Sequence, residues 1–451
     1  MLRKYFSGVT FFLVLVHGNV LAQSVPTVFS RDVLPIIQEK FVPLLERETG
    51  LSLESWDGIM AGSDHGELVV PYDPDGSLLI RLATDLSDED SLSVHAAELS
   101  DEDILTVRSW IERGAPNDEG HIAYSDASNL LYACVQGAAK VAVIDMDANV
   151  VIRTIDLQEL GFTENSRPHH VAVEPDGSAF YVSLIGDDAV LKFNRNNELI
   201  DQIAFERPGM LVVSPTDSLL FVGRSMKAVN PPQRIGIVER NGMEIEELDV
   251  FFSRPHALAT NPTGMFVYVA SLAQNDMAVV NVATEQIFLR RLQGDPHTLV
   301  QFAVSPDGRS LVVGGQLTGE FLFFDLSADP FMPVPDGSIK VGMAPWHPVF
   351  SPDGNYVWFG NKMGNRATVV DVAERAVAAT VEGLAEPHGA AISPNGRNVY
   401  ISNNNLKGAY SGRYSWQDGH LPGVIAVIDS ESREITKMLE VGPNPTGLGT
   451  R

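Results

Sequence analysis

The chain is poor in cysteine and in positive charge, and each shortage removes a class of function. Cys134 is the only cysteine in 451 residues. No intrachain disulfide can form, and no thiolate-rich zinc or iron–sulfur site can be built. No CxxCH motif is present, so a covalent c-type haem is not expected. Against 58 acidic residues stand 32 basic ones, a formal net charge of −26. That field opposes nucleic acid and anionic lipid. It suits a cationic partner, or simply solubility in salt. Beyond the N-terminus no apolar run is long enough to read as a membrane span.

The N-terminus itself reads as a targeting segment. Arg3 and Lys4 precede the apolar run Phe11–Val16, and Val20-Leu21-Ala22 fits the small residues of a cleavage site. Residues 1–22 are therefore expected to be a signal peptide. The mature protein is expected in the periplasm or outside the cell, with no membrane span after cleavage. Cys134 falls in the apolar run Leu130–Val135 and reads as a buried small hydrophobe.

Residues 23–120 read as mainly helical. Val33, Ile36, Ile37, Phe41, Leu44 and Leu45 recur at spacings of three and four, which makes one apolar helix face. Ser100 is a good N-cap, with Asp103 three residues on and Ile104, Val107, Trp110 and Ile111 as the apolar stripe. Gly114 and Pro116 end that helix. Three stretches, Phe29–Ile37, Gly66–Pro71 with Ser77–Leu79, and Leu99–Ile104 with Trp110–Pro116, together resemble the small cytochrome c domains fused to other modules. The family places its haem-binding cysteines and proximal histidine soon after the first helix begins. Here that stretch is Phe41-Val42-Pro43-Leu44-Leu45. The methionine that the family carries before its last helix is also missing, with His95 nearby. The resemblance thus implies a haem-less domain whose slot is filled by side chains. His65 and His95 could still hold a group non-covalently, or be ordinary surface histidines. This segment carries 21 acids and 6 bases, a field suited to docking a basic electron-transfer protein.

From residue 121 to 451 the pattern changes to short apolar strands. Tight-turn sequences recur at Glu174-Pro175-Asp176-Gly177, Ser214-Pro215-Thr216-Asp217, Asn261-Pro262-Thr263-Gly264, Ser305-Pro306-Asp307-Gly308, Ser351-Pro352-Asp353-Gly354 and Ser393-Pro394-Asn395-Gly396. They lie roughly 45 residues apart, the length of a four-stranded blade. Six complete units and an opening fragment can be counted. Pro445-Thr446-Gly447-Leu448-Gly449 supplies the strand that the fragment lacks. The expected fold is mainly β: a seven-bladed propeller closed by its C-terminal strand, which would remove exposed sheet edges. The turns, with Tyr181-Val182-Ser183, Tyr268-Val269-Ala270 and Tyr400-Ile401-Ser402, resemble the YVTN propellers and their relatives in the cytochrome d1 and nitrous oxide reductase group.

Each unit begins at a proline, and histidine follows it repeatedly. The sequences are Pro168-His169-His170, Pro208-Gly209-Met210, Pro255-His256, Pro296-His297, Pro345-Trp346-His347 and Pro387-His388. Six of the eleven histidines sit there. Equivalent positions of a propeller are related by rotation about the central channel, so these imidazoles should converge. Gathered neutral imidazoles suit transition metals. His169, His256, His297 and His388 are the first candidate ligands, with His347 and His170 next. Copper is the first choice and zinc the alternative; the resemblance to copper propellers implies the same. The rival reading is a set of structural histidines, copied with the repeat and hydrogen-bonded to neighbouring blades.

Arg167, Arg207 and Arg254 precede leading prolines and could form an arc for an anionic substrate, or equally serve as salt bridges between blades. Lys227, Asp276, Glu320 and Lys362 follow blade strands and are weaker catalytic candidates. The insertion 403–423, with Tyr410, Tyr414, Trp416 and His420, could cover the channel mouth. The expected function is a periplasmic metal-dependent oxidoreductase acting on a small molecule. A metal carrier or chaperone, a zinc-dependent hydrolase of lactonase type and a metal-free interaction scaffold are the alternatives.

Overall fold

The computed structural model describes residues 27–45, 48–84, 99–225, 228, 233–412 and 420–451. The expected signal peptide, His95, Lys227, Tyr414 and Trp416 lie outside them.

Residues 29–112 form the helical part. An opening run of helical turns from Phe29 to Leu45 is followed by helices Trp56–Ala61, Leu78–Thr84 and Asp101–Glu112. Ser100 and Asp103 form the expected capping box on the last of these. Val33, Ile37, Phe41, Leu44, Leu79, Val107, Trp110 and Ile111 share one buried cluster. Phe41 and Leu44 are fully buried there. In the stretch where the cytochrome resemblance expects cysteines, Phe41, Leu44 and Leu45 are thus core residues, while Val42 is exposed.

The rest is built from strands in seven four-stranded sheets. Their innermost strands, in ring order, are Pro445–Thr450, Pro168–Val173, Pro208–Val213, Pro255–Thr260, Leu299–Val304, Pro345–Phe350 and Pro387–Ile392. We number the blades one to seven in that order. Each inner strand lies against the inner strands of the blades before and after it, and blade seven neighbours blade one. Second strands such as Leu130–Val135 and Ala179–Leu184 are buried along their whole length, because blades pack on both of their faces. Outer strands such as Leu199–Ala204 and Glu244–Asp249 are largely exposed and carry the charge.

One expectation needs correction. No sheet is closed, neither by the C-terminal strand nor otherwise: all seven are open and keep an inner and an outer edge. The C-terminal strand instead completes blade one, pairing antiparallel with Leu130–Val135. The hydrogen-bond ladder stops at each blade's edges, and side-chain packing joins one blade to the next. Outer edges are protected by acids, as in Glu244, Glu246 and Glu247, rather than removed.

The helical part rests on blades one and seven. Val70 joins the core cluster of Leu131, Ala133 and Val151. Glu67 accepts from Val151 N at 3.1 Å, and Tyr124 donates to Met60 O at 3.0 Å. Arg81 and Glu440 lie 3.7 Å apart, both buried.

Because the inner strand of blade one is the chain's last, deleting residues 445–451 should cost roughly 5 kcal/mol or more in lost ladder bonds and exposed Leu448 contacts. The denaturant midpoint should fall accordingly, and an unchanged midpoint would contradict this account of blade one.

Candidate functional site

The centre of the propeller is shaped by two features repeated in all seven blades. The residue just before each inner strand has a left-handed backbone: Arg167, Arg207, Arg254, Thr298, Ala344, Glu386 and Asn444, with φ between 47° and 59°. Its carbonyl accepts a hydrogen bond from the residue just after the second strand. These donors are Gln136, Ile185, Ser225, Leu272, Gln316, Lys362 and Asn404, at 2.8–3.2 Å. The bond fixes where the chain turns into the inner strand, and so fixes the direction of the next side chains.

That register sorts the histidines. The first residue after each strand's leading position is His169, Gly209, His256, Val300, Trp346, His388 or Thr446 in blades two to seven and one. In blade five Leu299 takes the place of proline, pairing with Gly315 as Pro255 pairs with Ser271. Pro296-His297 imitates the motif but lies before the left-handed turn, and Val300 holds the histidine position.

A cavity of about 180 Å³ lies there, lined by His169, His256, His347 and His388 with Trp346 and Val300. Ring centroids are 5.8 Å apart for His169–His256, 5.6 Å for His169–His388, 4.7 Å for His347–His388 and 6.1 Å for His170–His347. Rotation therefore brings five of the six expected imidazoles together. His297 does not join them: its Nδ1 is 2.9 Å from Thr318 Oγ1 and 3.8 Å from Glu320.

Hydrogen bonds to backbone fix two protonation states. Arg224 O can only accept, so His256 Nδ1, 2.7 Å away, carries the proton and Nε2 keeps its lone pair. Leu211 N can only donate, so His170 Nδ1 accepts at 3.3 Å and its proton sits on Nε2. A neutral His170 in that state cannot ligate through Nε2. His169 Nδ1 faces the Gln136 amide nitrogen at 3.3 Å, and the Gln136 oxygen accepts from Asn444 at 3.2 Å. His347 Nε2 and His388 Nδ1 are buried without a hydrogen-bond partner, each an omission that costs about 1–3 kcal/mol. Gly209 leaves room for His256, since a Cβ there would stand 2.7 Å from its Nδ1.

Burial, more than any neighbouring charge, holds the cluster neutral. It pushes His256 down to about 4 and His170 to about 3. His169, His347 and His388 fall well below the usual imidazole range for the same reason. Among the described residues, however, no group of three or more His, Cys, Asp or Glu side chains is placed to hold one metal ion.

The remaining candidates divide. Arg167 lines the cavity. Arg207 donates to Ile185 O at 2.8 Å and lies 3.5 Å from Asp188, while Arg254 is exposed. Asp276 is paired with Arg291 at 2.7 Å, and Glu320 with Lys340 at 3.0 Å. Lys362 sits 4.4 Å over the Trp346 ring and bonds Asn404; burial pushes it down to about 8. Sequence reasoning missed Gln136 and Gln316, whose signal was their place directly after a second strand. His65 is beside Thr49 in the helical part, at 3.3 Å.

Solved structures agree with this architecture. A functionally unknown protein from Desulfotomaculum acetoxidans aligns with a TM-score of 0.58 at 12% identity, over 72% of this chain and 99% of that one. The chain shares the β-propeller fold. The β-propeller domain of Cps50 (Swd1) from Myceliophteria thermophila aligns at 0.51 and 12% identity, over 62% of this propeller chain and 91% of its own. Hydrazine synthase of Kuenenia stuttgartiensis aligns at 0.47 and 19% identity, over 58% and 76%. No family model matches the chain, and no curated protein matches it. Among the described residues no helix is long and apolar enough to cross a membrane.

The buried imidazoles set a pH dependence. Their folded pKa values lie below the unfolded value of about 6.5, so the unfolded state binds more protons and stability falls as pH drops from about 6.5 towards 4. Each imidazole should contribute on the order of 1 kcal/mol per pH unit in that window. In chelator-treated protein, His256→Asn should flatten the loss of thermal stability between pH 6.5 and 5. An identical slope in the variant would show that His256 is not buried neutral.

Proposed function

We propose that the histidine cavity is a transition-metal site, with copper the first choice, and that the protein is an exported oxidoreductase acting on a small molecule. The observation that carries the reading is a pair of buried imidazole nitrogens without hydrogen-bond partners, beside His256. His256 Nε2 keeps its lone pair, and His347 Nε2 and His388 Nδ1 are orphaned. Neutral imidazole is the form that ligates metal, and a buried ring nitrogen without a partner is costly unless something takes it. The residue types and their burial support such an ion, and the tautomer of His256 does as well. His256, His347 and His388 would hold it, with rings turned from their present angles, and His169 would stand beside them. Gly209 and the Arg224 carbonyl keep His256 in the ligating tautomer, an outer contact of the kind that orients metal ligands. A copper ion bound there would supply one-electron chemistry. The chain's own part is to hold the imidazoles, exclude water with Trp346 and Val300, and leave a cavity for substrate. Export through the segment 1–22 belongs to the same proposal, as does docking of a basic electron carrier on the acidic helical part, which resembles a cytochrome c domain without haem.

A second reading, a metal-free small-molecule pocket, is favoured by the absence of a gathered three-ligand set among the described residues.

Elemental analysis of protein matured in an oxidising compartment, with copper, zinc and iron supplied, separates the two. About one copper or more per chain should be found, and a His256→Ala, His388→Ala double variant should lose nearly all of it. His297→Ala and His170→Gln should keep it. Metal-free wild-type protein of undiminished stability would defeat the metal site.

A further inference from the structure

The cavity is electrostatically unlike the rest of the molecule. In a chain with 58 acids and 32 bases, its lining includes an arginine and no carboxylate. Of the seven left-handed positions around the rim, one is acidic, Glu386. It is already engaged, accepting from Lys407 N at 2.9 Å with Lys407 Nζ at 3.5 Å.

The three rim arginines are not equivalent. Arg207 is turned onto blade two, as its bond to the Ile185 carbonyl shows. Arg254 and Arg167 are both exposed, but Arg254 does not line the cavity. Arg167 lines it, and its guanidinium makes no hydrogen bond or ion pair among the described residues. On blade six, Lys362 adds a second positive charge near the same histidines, held by Asn404 and the Trp346 face. A guanidinium presents paired donors that match a planar oxyanion, and such charge-assisted bonds are about twice as strong as neutral ones.

We infer that the substrate is a small planar oxyanion, of the carboxylate class in shape and charge, clamped by Arg167 at the cavity mouth with its other end towards the histidines. This rests on the cavity being the reaction site, and it adds a substrate class to that reading. Arg167 is the residue that selects charge, and Arg207 and Arg254 are not part of the clamp.

Binding of acetate, formate and nitrate to the full-length protein, with acetamide as the neutral counterpart of acetate, tests this by calorimetry. The titrations are run on protein as purified and on chelator-treated protein, with metal content measured on both. Loss of metal and loss of anion binding are then separate results. At least one of the anions should bind, and acetamide should not. Arg167→Gln should weaken the anion about tenfold or more, while Arg167→Lys keeps part of the affinity. Arg254→Gln, an exposed change outside the cavity, should stay within about twofold of wild type. Metal content should be the same in Arg167→Gln as in wild type. Equal binding of acetate and acetamide, no anion binding at all, unaltered affinity in Arg167→Gln, or an equal loss in Arg254→Gln would each overturn the clamp.

Discussion

The hydrogen bond from the residue after each second strand to the left-handed carbonyl before each inner strand is the constraint on which the centre depends. It recurs seven times at 2.8–3.2 Å. A left-handed backbone is an unusual choice for Arg, Thr, Ala or Glu and carries a steric cost at each position. Its recurrence at Thr298, a β-branched residue, means that the geometry is imposed by the blade and not chosen by the residue. The consequence is a fixed set of positions facing the axis. What occupies them is free to vary, and the variation among histidine, glycine, valine, tryptophan and threonine gives the cavity its shape.

Electrostatics then divides the molecule into an acidic exterior and a carboxylate-free centre. Acids on the outer strands keep open sheet edges from pairing with other chains. The same charge would be harmful inside, where screening by water is lost. Burial instead keeps the imidazoles uncharged, which allows several to stand within 6.1 Å of one another without repulsion. The buried arginines Arg224 and Arg240 are tied to glutamates, while Arg167 is exposed at the edge of this neutral cluster and lines its cavity.

Much of this was legible in the sequence. Turns of the type Ser-Pro-Asp-Gly and the alternation of apolar strands announced seven blades, and Pro445–Thr450 was recognisable as the strand missing from the first. The convergence of His169, His256 and His388 follows from rotation alone. What the sequence hid was register. Pro296-His297 has the right letters three residues too early, and Leu299-Val300, an apolar pair like any other strand start, holds the true position. Asp276 and Glu320 were misleading for a similar reason. They open third strands on the far side of the second-strand turn, where Arg291 and Lys340 are the nearest charges. Hydrogen-bonded tautomers could not be foreseen, since they depend on which neighbouring backbone group meets each ring.

His170 and His347 show how strongly that last effect decides chemistry. Both lie two residues after their leading proline, and their rings are 6.1 Å apart. His170 receives the backbone N–H of Leu211 from blade three, so its proton is fixed on Nε2 and its ring is an interblade link. His347 has a left-handed backbone, φ 42°, at the irregularity where strand pairing skips from Trp346 to Val349. Pro348 follows it and has no N–H to give to the ladder. The bulge re-aims the side chain, as bulges beside active sites do, and leaves Nε2 buried without a partner. Two identical residues at identical sequence offsets thus differ, one ring bonded to the next blade and the other with a buried nitrogen that has no hydrogen-bond partner. A register shift spans His170 as well, between Pro168 and Val171, so what sets His347 apart is its left-handed backbone and the proline that follows it.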